Sequence, residues 1–256
     1  MFQIFAYLKF LFASTNEHGV HSPFVYDLTT KCFYNKTTLP VYKKLKLYRL
    51  QLLANKNTIT VTDFGAGSRV FKNANRQIAA IAKTAGITPK RAQLLARLAQ
   101  YFNFESVLEL GTSLGLASSA IAFANPKTRI TTLEGCPETS AIAQVQFKAH
   151  GLQNINSITT DFSKNLKTYS TQYDLVYFDG NHQKEATLTY FNTLVKNTAN
   201  DSVFIFDDIH WSKDMEEAWG IIKNHPKVTI TIDTFYWGFV FFRTENKHKE
   251  HFSIRM

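Results

Sequence analysis

Cysteine is scarce in this sequence: Cys32 and Cys136 are its only two in 256 residues. That number excludes a disulfide framework and fits a reducing, cytoplasmic location. A membrane-spanning run is missing as well. The N-terminal stretch Met1–Ala13 is apolar but too short to cross a bilayer, and Lys9 interrupts it. It also lacks the basic start and small-residue cleavage site of a secretion signal. It reads as an amphipathic helix buried against the body or against a partner subunit, so a homodimer is one expectation and membrane-surface attachment its alternative. Acidic residues are few in the first hundred positions, 3 against 15 lysines and arginines, whereas residues 101–256 hold 17 against 14. Such asymmetry admits a nucleic-acid surface. The plainer account is a solvated helical face, because Lys43, Lys44, Lys46, Arg49 and Lys56 fall around one helix. With 45% apolar and 19% charged residues, the chain can build a substantial core. We expect a helical N-terminal extension over 1–100 and one α/β domain over 101–256.

Two common nucleotide signatures are absent too. No G-x-G-x-x-G follows a strand, and no phosphate loop ending in lysine is present. What stands instead is Glu109-Leu110-Gly111-Thr112-Ser113-Leu114-Gly115, between the short apolar run Ser106–Leu108 and an Ala/Ser/Ile-rich helix. A strand thus ends in an acid, turns through glycines and opens a helix. Glycines let backbone approach a ligand closely, and a helix start offers free N–H groups. The carboxylate repels phosphate, so the spacing points to a nucleoside that carries a cation.

From residue 104 onward the alternation is regular. Strands are predicted at 106–110, 129–134, 155–160, 173–179 and 202–207, with helices at 114–124, 137–149, 163–167, 183–196 and 212–224. Two closing strands, 227–233 and 235–243, read as an antiparallel hairpin at the sheet edge. This pattern predicts a mostly parallel sheet. Residues 1–100 read as helices and loops, with a helix over 75–85. Thr88 and Pro89 are placed as N-cap and first residue of another helix, which has Leu94, Leu95, Leu98 and Phe102 on its apolar face. The segment Asp63-Phe64-Gly65-Ala66-Gly67-Ser68-Arg69 looks like a second glycine turn. No apolar helix continues it, so it reads as a loop or lid over the substrate.

The element E-x-G-x-x-x-G at Glu109–Gly115, together with the strand pattern over 105–245, resembles motif I of the class I S-adenosylmethionine-dependent methyltransferases. The resemblance implies a Rossmann-like sheet, mostly parallel with an antiparallel last strand, and S-adenosyl-L-methionine as cofactor. It also implies cofactor-binding roles for Glu109, Gly111, Thr112, Ser113, Gly115, Glu134, Gly135, Asp161, Phe162 and Asp179. Among these, Glu134 would accept the ribose hydroxyls, and Asp161 with Phe162 would face adenine.

Asp179-Gly180-Asn181-His182 and Phe206-Asp207-Asp208-Ile209-His210-Trp211 are similar to the strand ends of catechol-type O-methyltransferases. Asp179, Asp207 and Asp208 form an oxygen-rich set suited to Mg²⁺, and His182 or Lys184 is the expected general base. The segment Asp179–Trp219 resembles a broad bacterial group of the same fold. The expected reaction is O-methylation of a small hydroxylated acceptor, with cation assistance as an option. Methylation or binding of RNA through the basic N-terminal region, and aminopropyl transfer, are the alternatives weighed.

Overall fold

A computed structural model describes every residue of the chain except 66, 68–70, 72 and 167–169. The elements begin with α1 (Phe2–Ala13), α2 (Pro23–Leu28), α3 (Val41–Ala54), β1 (Thr58–Thr60), β2 (Asn75–Gln77), α4 (Ile78–Thr84) and α5 (Pro89–Phe102). They continue with β3 (Ser106–Leu110), α6 (Leu116–Ala124), β4 (Arg129–Glu134), α7 (Pro137–Ala149), β5 (Ile155–Thr159) and α8 (Phe162–Leu166). The last are β6 (Leu175–Phe178), α9 (Lys184–Leu194), β7 (Val203–Asp207), α10 (Lys213–Asn224), β8 (Ile230–Asp233), β9 (Trp237–Phe241) and β10 (Glu250–Ser253). Two compact units result, one of residues 36–165 and one of residues 1–35 with 166–256. Neither unit is confined to one side of residue 100.

In the unit 36–165, β3, β4 and β5 run parallel, with Glu109 opposite Thr132 and Glu134 opposite Thr159. Val107, Leu108 and Leu110 are fully buried, as apolar residues of a parallel strand covered on both faces are, and Glu109 is buried among them. The expected start of α5 is found: the Thr88 hydroxyl accepts the Arg91 N–H at 3.3 Å, and Pro89 is the first helical residue. Leu94, Leu95 and Leu98 are buried as patterned. Tyr48 of α3 is fully buried and donates to the Leu114 carbonyl at 2.9 Å, which ties α3 to the turn ahead of α6.

One expectation fails in this unit. Asn75–Gln77 is not helical but pairs antiparallel with Thr58–Thr60, and α4 starts only at Ile78. The pairing includes a Thr60-to-Asn75 side-chain bond of 2.9 Å. A cross-strand partner 15 residues away outweighs local helix preference here.

The other unit holds a sheet of order β10-β8-β9-β7-β6. β6 and β7 are parallel, while β9 runs antiparallel to both β7 and β8. The strands β6, β7 and β9 are buried along their whole lengths. The expected closing hairpin forms, but it is not the edge. β10 adds outside it, parallel to β8 with Glu250 opposite Ile230. Its sequence, Glu-His-Phe-Ser, carries almost no apolar signal, which is why patterning missed it.

α1 buries only Ala6 and Phe10, which pack with Phe235, while Ile4, Phe5 and Phe12 stay exposed. No described helix is long and apolar enough to cross a membrane.

Two glycines test this packing with opposite signs. A Cβ on Gly238 of β9 would lie 2.7 Å from the buried Trp219 ring, whereas one on Gly220 of α10 would meet nothing within 4 Å. Gly238→Ala should lower stability by about 1–3 kcal/mol. Gly220→Ala should raise it by about 0.5–1 kcal/mol through helix propensity. Thermal midpoints of the two variants should move in opposite directions; a shared direction would contradict this packing.

Candidate active site

The turn from β3 to α6 is held by main chain and by carboxylates. The Gly111 and Thr112 N–H groups both donate to the Leu133 carbonyl, at 2.9 and 3.1 Å, which fastens the turn to β4. Three of its residues take left-handed backbone, Gly111 (φ 106°), Ser113 (φ 48°) and Gly115 (φ 76°). At Gly115 a side chain is also blocked, since a Cβ would lie 2.4 Å from the Phe147 ring and 2.6 Å from the Tyr48 hydroxyl. The glycine spacing read from the sequence therefore has a steric cause.

Glu109, in β3, is fully buried. Its Oε2 accepts from the Ser118 hydroxyl, and from the Thr132 hydroxyl at 2.5 Å. The Thr132 oxygen lies 2.6 Å from the Thr112 hydroxyl. With Glu109 ionised, the single Thr132 proton goes to the carboxylate, so Thr112 donates to Thr132. The other carboxylate oxygen, Oε1, is buried without a hydrogen-bond partner among the described residues. Burial pushes the Glu109 carboxyl up to about 7, against the hydroxyl bonds that favour its charge, and the neighbouring Glu134 adds to the rise.

Glu134 closes β4 in a different setting. Its Oε2 accepts the Ser113 N–H at 2.7 Å and its Oε1 the Cys136 N–H at 2.9 Å. Burial raises its pKa, while these backbone donors work in the opposite direction. The Thr139 side chain and the Gly135 N–H also favour its charged form. Gly135 follows directly. Asp161 lies beyond β5 and is exposed, with Oδ1 accepting the N–H groups of Ser163 and Lys164 at 2.8 and 3.3 Å. It caps α8, and Phe162 is the first residue of that helix.

The unit that contains β6 and β7 carries the other predicted residues. Asp179 follows β6, with its Oδ1 3.9 Å from His182 Nε2. Asn181 (φ 70°) and His182 (φ 26°) are consecutive left-handed residues without being glycine, a strained arrangement typical of functional turns. Lys184 opens α9 and points its ammonium at Glu217 of α10, 2.8 Å away, which raises its pKa. Asp207 ends β7 buried, and Asp208 follows in left-handed backbone (φ 54°). Among the described residues, no group of three or more His, Cys, Asp or Glu side chains is arranged to hold a metal ion.

Residues 108–209 match a family profile described as a methyltransferase domain. Over that stretch the chain is similar to a methyltransferase domain. A tRNA1(Val) (adenine(37)-N6)-methyltransferase of a Flavobacteriaceae bacterium is 31% identical over 120 residues, which are 41% of this chain and 50% of that protein. A catechol O-methyltransferase of Niastella koreensis is 26% identical over 129 residues, 48% of this chain and 58% of that one. The chain spans about half the length of the curated relatives it matches. Among solved structures, the SAH-bound methyltransferase PaMTH1 of Podospora anserina superposes with a TM-score of 0.63 at 14% identity, covering 88% of this chain and 97% of that one. At that identity the likeness shows a shared Rossmann-like methyltransferase fold.

Sequence spacing grouped Glu109, the glycines and Glu134, and the structure brings them together around one turn. It missed His210, which stands two residues after Asp208. His210 is nine-tenths buried, with Nε2 2.9 Å from Asp233 Oδ2 and its ring stacked on Phe235. Asp233 is held in turn by the Phe235 N–H at 2.7 Å. The signal lay in the acid closing β8, which pairs with a histidine 23 residues earlier.

Glu109 has a measurable pH signature. Its pKa is raised in the folded chain, so between about pH 4.5 and 7 the folded state keeps a proton that the unfolded state has released. Stability from this group is therefore full below that window and falls as pH rises through it, by up to ~1.4 kcal/mol per unit. Urea denaturation of wild type and Glu109→Gln at several pH values should show the difference between them shrinking in favour of Gln across that range. A constant difference would place the carboxyl outside this window.

Proposed function

We propose that this chain transfers a methyl group from S-adenosyl-L-methionine to a hydroxyl oxygen of a small molecule. The observation that carries the reading is Glu134. The backbone N–H groups of Ser113 and Cys136 hold its carboxylate beside the glycine turn. A carboxylate in that posture suits two vicinal ribose hydroxyls, each donating to one oxygen. The residues fit the cofactor in two further ways. Gly111 and Gly115 leave the turn without side chains, and the unpartnered Glu109 Oε1 supplies negative charge behind it, favouring a cationic ligand. The family profile over 108–209 and the catechol O-methyltransferase relative support methyl transfer to oxygen.

When bound, the cofactor supplies an electrophilic methyl group on a sulfonium. In this reading Glu134 fixes the ribose, the Gly111–Gly115 backbone follows the amino-acid portion, and Asp161 with Phe162 bounds the adenine. His182 takes the proton from the acceptor hydroxyl, leaving an imidazolium and a neutral thioether product. Asp179, 3.9 Å from His182, orients that imidazole. Lys184 is the poorer base because Glu217 holds its ammonium protonated. Asp179, Asp207 and Asp208 do not meet the arrangement a hard cation needs, so no step is routed through Mg²⁺. The exposed apolar face of α1 leaves room for a homodimer.

A second reading has its own support. The 31%-identical tRNA methyltransferase and the 15-to-3 basic excess of the first hundred residues favour an RNA acceptor. Steeply salt-dependent binding of tRNA would carry it; retention of the protein in the flow-through of a heparin column at low salt would end it.

Calorimetric titration with S-adenosylhomocysteine tests the leading reading. Wild type should bind in the micromolar range, and Glu134→Ala should bind about 10- to 100-fold more weakly, the size expected for losing charged hydrogen bonds. Equal affinity in the two would remove Glu134 from the site. Once an acceptor is in hand, EDTA should leave turnover unchanged; loss of turnover restored by Mg²⁺ would return Asp179, Asp207 and Asp208 to the role of ligands.

A further inference from the structure

The Asp63–Arg69 segment, read from sequence as a loop over the substrate, joins β1 to β2, and its residues 66 and 68–69 lie outside the described ones. Its described part is fastened on several sides. The Asp63 Oδ1 accepts the Gly65 N–H at 3.1 Å, and its Oδ2 meets the Arg76 guanidinium at 3.4 Å. The Val61 N–H donates to the Ala74 carbonyl at 2.8 Å. Thr62 donates its N–H to the Cys136 sulfur at 3.4 Å, which pins the loop to the residue two beyond Glu134.

Phe64 is set by these contacts against Gly135. A Cβ built on Gly135 would lie 2.7 Å from Cδ2 and 3.0 Å from Cε2 of the Phe64 ring. The ring therefore lies directly on glycine backbone, at a place where any other residue would push it off. Its other side is open, and the residue is 59% exposed. A single exposed phenylalanine is ordinary by itself. One that is seated on the glycine next to the carboxylate proposed to hold a ribose is not placed at random. A base attached to that ribose lies near the residues that flank Glu134, and on the Gly135 side the flank carries an aromatic ring.

We propose that Phe64 is a binding residue for the purine of the cofactor, its ring stacking on the base at the Gly135 end of the site. The inference rests on the methyltransferase reading above, and it extends the site to a loop outside the 108–209 match. An aromatic ring accepts a base through dispersion and stacking without reading its edge. Glu134 then holds the ribose, while Phe64, 70 positions earlier in sequence, joins Asp161 and Phe162 in bounding the base.

Calorimetry with two probes, S-adenosylhomocysteine and adenosine alone, tests this on wild type, Phe64→Ala and Phe64→Trp. Phe64 is largely exposed, so the variants should keep the wild-type thermal midpoint. Phe64→Ala should weaken both probes by the same factor of about fivefold or more, the lower end of the loss seen when an aromatic–base stack is removed. Phe64→Trp should restore both affinities, and its indole fluorescence should be quenched at saturating adenosine. If wild type binds S-adenosylhomocysteine while Phe64→Ala binds both probes as wild type does, the inference fails and the methyltransferase reading stands. Weakening of S-adenosylhomocysteine without weakening of adenosine would place the ring at the amino-acid end and overturn the assignment. Failure of wild type to bind either probe would overturn both.

Discussion

The buried carboxylate of Glu109 is the constraint around which the turn is built. A charge with no exposure needs donors, and Ser118 from α6 and Thr132 from β4 both turn their hydroxyls toward the same oxygen. Thr112, in the turn itself, closes the chain of hydroxyls through Thr132. One side chain therefore fixes the relation between a strand, its neighbour and the following helix. The arrangement is under-satisfied by one oxygen and leans toward protonation at neutral pH. A purely structural carboxylate gains nothing from such a state, because a buried unpaired acceptor costs about 1–3 kcal/mol. A site that receives a cation recovers that cost on binding.

Glu134 presents the complementary case. Both acids close or nearly close adjacent parallel strands, with Glu109 opposite Thr132, two residues before Glu134. Glu109 is satisfied by hydroxyls from within the fold, whereas Glu134 is satisfied by N–H groups of the turn and of the residue after Gly135. Backbone donors cannot be removed by substitution and do not rotate away. They hold the Glu134 carboxylate in place beside the glycine turn.

This half of the site was legible because it is local. Strand, acid, glycine turn and helix follow one another over about fifteen residues, and each has a compositional mark: buried Val107 and Leu108, positive φ at Gly111 and Gly115, small residues through α6. The same holds for the Thr88 cap of α5. What escaped depends on pairing at a distance. Asn75–Gln77 became strand because Thr58–Thr60 lay across from it, and β10 became an edge strand because β8 had a free side. The His210–Asp233 pair and the seat of Phe64 on Gly135 are contacts of the same kind. Nothing in the residues adjacent to Phe64 announces it; the glycine 71 positions later does, and only once both are in space.

The acids after β6 and β7 show the limit of reading strand ends as a set. Asp179, Asp207 and Asp208 share a residue type and a position at carboxyl ends, which suggested a common ion. Their backbones differ: Asp207 is the last extended residue of β7, Asp208 turns left-handed, and Asp179 precedes a pair of left-handed residues that carry His182. A hard cation asks for oxygens converging on one point, and among the described residues no group of three or more His, Cys, Asp or Glu side chains does so. Strain at Asn181 and His182 is better explained by the need to hold an imidazole near Asp179 than by ligation. The strained turn places a titratable ring 3.9 Å from Asp179 Oδ1, the geometry that the proposed proton transfer uses.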